Sequence, residues 1–228
     1  MTQNNTIFFE LSSPEERHDT KMKRKSKIPV IGLTGGAGSG KSYIAGLLET
    51  VGRVYHINTD EISRAQMQKG GCVYQKVLEQ FGPQFLNDDG EINRKMLGEY
   101  VFPRPEKLKL LNEITHPPVK KEVSRVIEEA ANAGYDVILL ESALLIEAGY
   151  KEICDEIWYV YAKRQVRKQR LQDTRGYSET RIRDMFRSQK TDAFFRSHAD
   201  YVIDNNGQSR EILSERLRRR LHKIEKSI

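Results

Sequence analysis

The chain holds 228 residues, 38% hydrophobic and 31% charged, enough for one sizeable core with a smaller lobe attached. No apolar run reaches the roughly 18 residues of a membrane span, and the opening "MTQNNTIFFELSSPEERHDT" has neither the basic start nor the long apolar segment of a secretory signal. The net charge of +6 is concentrated in residues 163–196, with eleven Lys and Arg against four Asp and Glu, a distribution that can serve a polyanionic small ligand just as well as a nucleic acid.

Residues 1–27, with the run "KMKRKSK" (21–27), read as a polar basic tail, and the folded domain is expected over 28–228. "PVIGLT" (29–34) reads as a buried strand, and Ile44, Leu47, Leu48 and Val51 form one face of the helix after it. "VYHIN" (54–58) is a second strand; "DVILLE" (136–141), "EIWYVYA" (156–162) and "DYVID" (200–204) are three more. Continuous apolar runs separated by helices predict a five-stranded, doubly wound parallel α/β sheet. Its core is expected over 28–59, 135–162 and 197–228. The roughly 75 residues between the second and third strands exceed a simple crossover; with "KGG", "FGPQF", "NDDG" and "FPRP" as punctuation they predict an inserted helical substrate lobe over 60–134. Residues 163–196, broken by "RGYS" (175–178), predict a mobile basic helical lid. A closing helix carries a core stripe of Leu213, Leu217, Leu221 and Ile224. Cys72 and Cys154 have no CxxC spacing and read as two free thiols in a reducing cytoplasm.

Between the first strand and its helix, Gly35-Gly36-Ala37-Gly38-Ser39-Gly40-Lys41-Ser42 fits G-x-x-x-x-G-K-[ST] in full. Glycines let backbone N–H groups turn around phosphate oxygens, and the helix beginning near Lys41 aims its positive end at the same point. Lys41 is expected on the β- and γ-phosphates of ATP, with the Ser42 hydroxyl on Mg²⁺. No N/T-K-x-D base-reading motif of a GTPase follows. The second strand ends in "NTDEISR" (58–64), at the carboxyl edge where doubly wound sheets collect ligands. Asp60 there can orient an attacking hydroxyl and take its proton, and Arg64, one turn on, can pair with an anionic part of the acceptor. Asp60 taken alone also fits a helix cap. A substrate lobe, a cationic lid and this carboxylate together describe a small-molecule kinase.

Those residues carry a resemblance to the dephospho-CoA kinase family, whose members pair a "TGGxGSGKS" loop with a "DADxxxR" strand end. The counterparts here are "TGGAGSGKS" and "NTDEISR", followed by Phe81-Gly82, Asp89-Gly90, Arg94, Thr115-His116-Pro117 closing a Leu-rich helix, "ALLIE" (143–147) and "ADYVIDNNG" (199–207). The match runs in order from about residue 28 to the end. It implies a phosphate-loop kinase that phosphorylates the ribose 3′-hydroxyl of dephospho-CoA with ATP and Mg²⁺. The implied nucleotide contacts are Gly36, Ala37, Gly38, Ser39, Gly40, Lys41, Ser42, Tyr43, Arg175 and Asn205. Those to the acceptor are Asp60, Arg64, Phe81, Gly82, Arg94, His116 and Leu144. Four departures stand out. Asn58 replaces the first family carboxylate, leaving Asp60 as base without a second acid. Tyr43 replaces a small hydroxyl residue, Ala143 replaces a proline, and Arg170 and Arg175 are one residue further apart than usual.

Several residues keep two readings. His116 is either a helix-ending histidine or an acceptor contact. Glu141 is a strand-end acid for a Mg²⁺ water or a cap, and Asn205-Asn206 contact adenine or simply make a turn. Phe194, Phe195 and Tyr201 read as core. The competing functions are another nucleoside or nucleotide kinase and an ATP-gated nucleic-acid-binding protein using the basic tail and lid.

Overall fold

The computed structural model describes residues 28–226; the tail expected over 1–27 lies outside them. Five strands, β1 (Val30–Thr34), β2 (Val54–Asn58), β3 (Val137–Glu141), β4 (Glu156–Tyr161) and β5 (Tyr201–Asp204), pair in parallel in the order β2-β3-β1-β4-β5. β1 lies at the centre, and every residue of β1 and β3 is buried, as a strand covered on both faces requires.

Strand alternation sorts the core. Ile31, Leu33, Leu139, Trp158 and Val160 point to one face, where they meet α1 (Lys41–Val51) and α9 (Arg210–Glu225) through Ile44, Leu48, Leu213, Leu217 and Leu221. Val30, Ile138, Leu140 and Ile157 point to the other, against Val119, Val123, Ile127 and Ala130 of α5 (Pro105–Asn132). Each such aliphatic side chain contributes about 1.5–3 kcal/mol by burial, so the two faces are what fix the strand order.

The excursion after β2 builds a third core from α2 (Thr59–Met67), α3 (Tyr74–Phe81), α4 (Arg94–Val101) and the first half of α5, around Val77, Phe81, Phe85, Ile92 and Leu97. The sequence reading places a helix end at Thr115-His116-Pro117. Instead α5 runs 28 residues straight through Pro117 and Pro118. Internal prolines cost about 3 kcal/mol or more. The cost is offset because α5 packs twice: Leu108, Leu111 and Ile114 belong to the lobe core, whereas Val119 onward belongs under the sheet. The lobe expected over 60–134 therefore gives way to the sheet within α5, one rod shared by both.

Residues 163–196 fold as α6 (Arg164–Arg175), α7 (Glu179–Ser188) and α8 (Asp192–His198). Gly176 ends α6 in the left-handed region, and the Ser178 side chain accepts from Arg181 N to start α7, so "RGYS" is the expected break. Tyr159 stacks on Phe195 at 5.0 Å, and its hydroxyl donates to Asp192 Oδ1 at 2.9 Å, which fixes α8 to β4. Neither Cys72 nor Cys154 is in a disulfide, and among the described residues no helix is long and apolar enough to cross a membrane.

Candidate active site

The loop from Gly35 to Gly40 links β1 to α1 at the carboxyl edge of the sheet. Gly40 precedes α1 at φ +92, and a Cβ there would stand 2.4 Å from Asn205 Nδ2, so both backbone and space demand glycine. The first turn of α1 holds no acidic side chain and no side-chain cap, leaving its N–H groups to an anion. Lys41 Nζ donates to the Gly35 carbonyl at 2.9 Å and so spans the loop it follows. Burial lowers the Lys41 pKa; Glu141 and Asp60 oppose that, while Arg167 and Arg175 add to it. A phosphate would satisfy this ammonium as neither carboxylate does at present.

Beside Lys41 sits an acid set. Glu141, at the end of β3, is 4% exposed, and its two oxygens are both engaged. Ser42 Oγ donates to Oε1 at 3.0 Å, and His56 Nε2 meets Oε2 at 3.0 Å. Burial would raise the Glu141 pKa, but the hydrogen bonds from His56 and Ser42 and the Lys41 charge prevail and lower it. Asn58 is opposite Glu141 in the strand register, and its side chain accepts from Asp60 N and Glu61 N, at 3.0 and 3.3 Å. Asn58 is thus the N-cap of α2, which leaves Asp60 past the cap with its carboxylate free. The loss of a second acid inferred from Asn58 is corrected here: Glu141 occupies that neighbourhood and acts on the Asp60 charge. Crowding by protein raises the Asp60 pKa, Lys41 lowers it, Glu141 raises it, and Arg94 and Arg64 lower it. A carboxylate made more basic in this way is a better proton acceptor.

On the opposite side of the loop, α6 is tied down. Arg167 Nε donates to Ala37 O at 2.8 Å, Arg167 Nη2 donates to Gln189 Oε1, and the same oxygen accepts from Ala37 N at 3.2 Å. A Cβ on Gly36 would lie 2.3 Å from Arg167 Nη2, so that glycine makes room for the guanidinium. One turn on, Arg170 donates to Ser39 O at 3.1 Å and to Asn205 O at 2.8 Å, and Asn205 Nδ2 donates to Ser39 O at 2.8 Å. The first helix of the expected lid thus hydrogen-bonds to the phosphate loop. Arg175 is exposed at the end of α6, within electrostatic reach of Lys41. Asn205 is 4% exposed and spends its amide donor on the loop, not on a base. Tyr43 is 46% exposed on the first turn of α1.

The acceptor side is looser. Arg64 on α2 and Arg94 at the start of α4 are exposed, each coupled to Asp60. Phe81 is 6% exposed inside the lobe core, and Gly82 closes α3 at φ +90. His116 is half-buried in the middle of α5, and Leu144 is 52% exposed in the turn after β3.

Residues 29–211 match a family model described as dephospho-CoA kinase. The chain belongs to the dephospho-CoA kinase family. Its relatives of that name include one from Carboxydothermus hydrogenoformans, 41% identical over 79% of this chain and 87% of that one. Another, from Corynebacterium diphtheriae, is 40% identical over 84% and 94%. A crystal structure from Thermus thermophilus superposes with a TM-score of 0.71 at 27% identity, over 88% of this chain and 98% of that one. A Campylobacter jejuni dephospho-CoA kinase, at 21% identity and a TM-score of 0.62 over 87% and 98%, shares the fold.

For a member of the dephospho-CoA kinase family the donor set fits a hard cation: Ser42 and Glu141 offer only oxygen, and both sit at the foot of a glycine cradle. Three participants escape the sequence reading. His56 was legible as a polar residue two before Asn58, hence on the same strand face. Arg167 lies three residues before Arg170, on one helix face. Gln189 reaches the loop from far along the chain, with no local signal.

Proposed function

We propose that this chain transfers the γ-phosphoryl group of ATP to the ribose 3′-hydroxyl of dephospho-CoA, yielding coenzyme A and ADP. The observation that carries this reading is the meeting of Asp60 with the Lys41 of a braced phosphate loop, on a chain of this family. The loop N–H groups and Lys41 hold the triphosphate, and Mg²⁺ held through Ser42 would neutralise its charge. Asp60 orients the acceptor hydroxyl and receives its proton as the new O–P bond forms. Glu141 keeps the Ser42 hydroxyl aimed, and His56 keeps Glu141 ionised. Arg64 and Arg94 draw the anionic acceptor toward Asp60, and Arg175 adds positive charge over the phosphates. Two cysteines outside any disulfide suit a reducing cytoplasm.

A coupled ADP-release assay across dephospho-CoA, adenosine, pantetheine phosphate and nucleoside monophosphates tests the reading. Turnover is expected with dephospho-CoA and without nucleic acid. Preference for a nucleoside monophosphate would make the chain a nucleotide kinase instead.

A further inference from the structure

Lys120 stands on α5 one turn beyond His116, and nothing in the reaction described so far uses it. Its Nζ lies 6.0 Å from the centre of the Tyr150 ring and would approach a Cβ on Gly149 to 3.4 Å. Lys120 is half-buried as a residue, and among the described residues no carboxylate forms an ion pair with it, nor with Arg64 or Arg94. A cation held in place over a ring without a carboxylate partner is open to an anionic ligand. The position also belongs to the acceptor side. Tyr150 lies under the influence of Asp60: its phenol is pushed up to about 12, by burial first and then by the Asp60 charge. The Lys120 charge adds to burial in lowering the His116 pKa. Gln66 Nε2, on α2, donates to Pro118 O at 3.2 Å and seams α2 to this turn of α5, while Gln66 Oε1 is buried with no partner. The seam thus holds a cation in need of an acceptor and an amide oxygen in need of a donor.

We propose that Lys120, over the Tyr150 ring and beside His116, forms an anion subsite that binds the diphosphate of the acceptor while Asp60 addresses its hydroxyl. The subsite rests on the acceptor reading given above. It divides the work among the cations: Arg64 and Arg94 set the charge close to Asp60, and Lys120 grips the diphosphate further along α5. A neutral His116 and a protonated Tyr150 add hydrogen-bond donors without adding charge.

The test uses the full chain and steady-state ADP release with saturating Mg·ATP and varied dephospho-CoA. Lys120→Met keeps the aliphatic stem over Tyr150 and removes the charge; Lys120→Ala removes both. The KM for dephospho-CoA should rise about ten- to hundredfold in either, the range of one charge-assisted hydrogen bond. The KM for ATP should stay within about twofold, and Lys120→Arg should recover most of the loss. Raising KCl should weaken the wild type more steeply than Lys120→Met, because one ion contact fewer remains to be screened. If both Lys120→Met and Lys120→Ala keep the wild-type KM for dephospho-CoA, the subsite is wrong and the kinase reading stands. If the wild type itself neither turns over dephospho-CoA nor binds it when loaded with a non-hydrolysable ATP analogue, the kinase reading falls and the subsite falls with it.

Discussion

Arg167 and Arg170 on the nucleotide side, and Arg64 and Arg94 on the acceptor side, carry the same guanidinium into opposite surroundings. The first two donate to backbone carbonyls of Ala37, Ser39 and Asn205. The other two are exposed at the rim, where they feel each other's charge and that of Asp60. Groups already satisfied cannot gain much from a ligand, but they hold N–H donors at fixed positions, which is where loop-borne binding energy comes from. Groups left open are costly alone and gain when a polyanion arrives. One side of the site is held by the protein's own hydrogen bonds; the other leaves its cations open to a polyanion.

The comparison breaks most severely where the two sides touch. Lys41→Ala should reduce turnover by about 10³-fold or more, judged by the loss of a preorganised charge contact at the transferring group. The thermal midpoint should scarcely move, since the ammonium bonds only to Gly35 O. Near-normal turnover in a folded variant would show that the loop does not hold the transferred phosphate. Asp60→Asn should lower kcat by about 10²–10⁴-fold, with ATP binding unaltered. Glu141 cannot take over, because its oxygens are engaged by Ser42 and His56. A variant within a few-fold of wild type would reduce Asp60 to the first turn of a capped helix.

How much of this was legible in the sequence also differs between the two sides. The loop, the five strands and the core stripe on α9 were readable, because local spacing dictates each of them. Glu141 was visible as a strand-end acid but not as the anchor of Ser42, since that requires β3 to sit beside β1. The brace was hidden for the same reason: Gln189 and Ala37 are 152 residues apart. The prolines misled because local propensity yields to packing at both ends of α5.

Breaking the brace should cost less than breaking the chemistry. Arg167→Ala removes the donations to the Ala37 carbonyl and to Gln189 Oε1 and should raise the KM for ATP about tenfold, leaving the KM for dephospho-CoA unchanged. Gly36→Ala should resemble it, because the added Cβ would sit 2.3 Å from Arg167 Nη2 and the flexible end of that arginine would move aside. The double variant should then be little worse than either single one, as shared partners predict. Additive losses would mean that Arg167 acts on the nucleotide by another route.

The smallest expected effect tests whether Glu141 belongs with the preformed side. Burial alone would lower the His56 pKa, but its hydrogen bond to Glu141 and the charges of Glu141, Glu49 and Glu61 raise it above the ordinary 6.5. A raised histidine stabilises the fold fully below its unfolded value, and that contribution is lost as pH climbs through the folded value. Glu141 is lowered from 4.5, so its contribution holds above that value and is lost as pH falls through the folded one. The two windows overlap between about pH 4.5 and 6.5. His56→Gln should therefore be less stable than wild type by about 1 kcal/mol there, and the gap should narrow toward pH 8.5. Urea melts of both proteins at pH 5.5 and 8.5 measure it directly. A gap that widened with pH would mean that charged His56 is not what holds Glu141, and that the carboxylate is fixed for Ser42 by Lys41 alone.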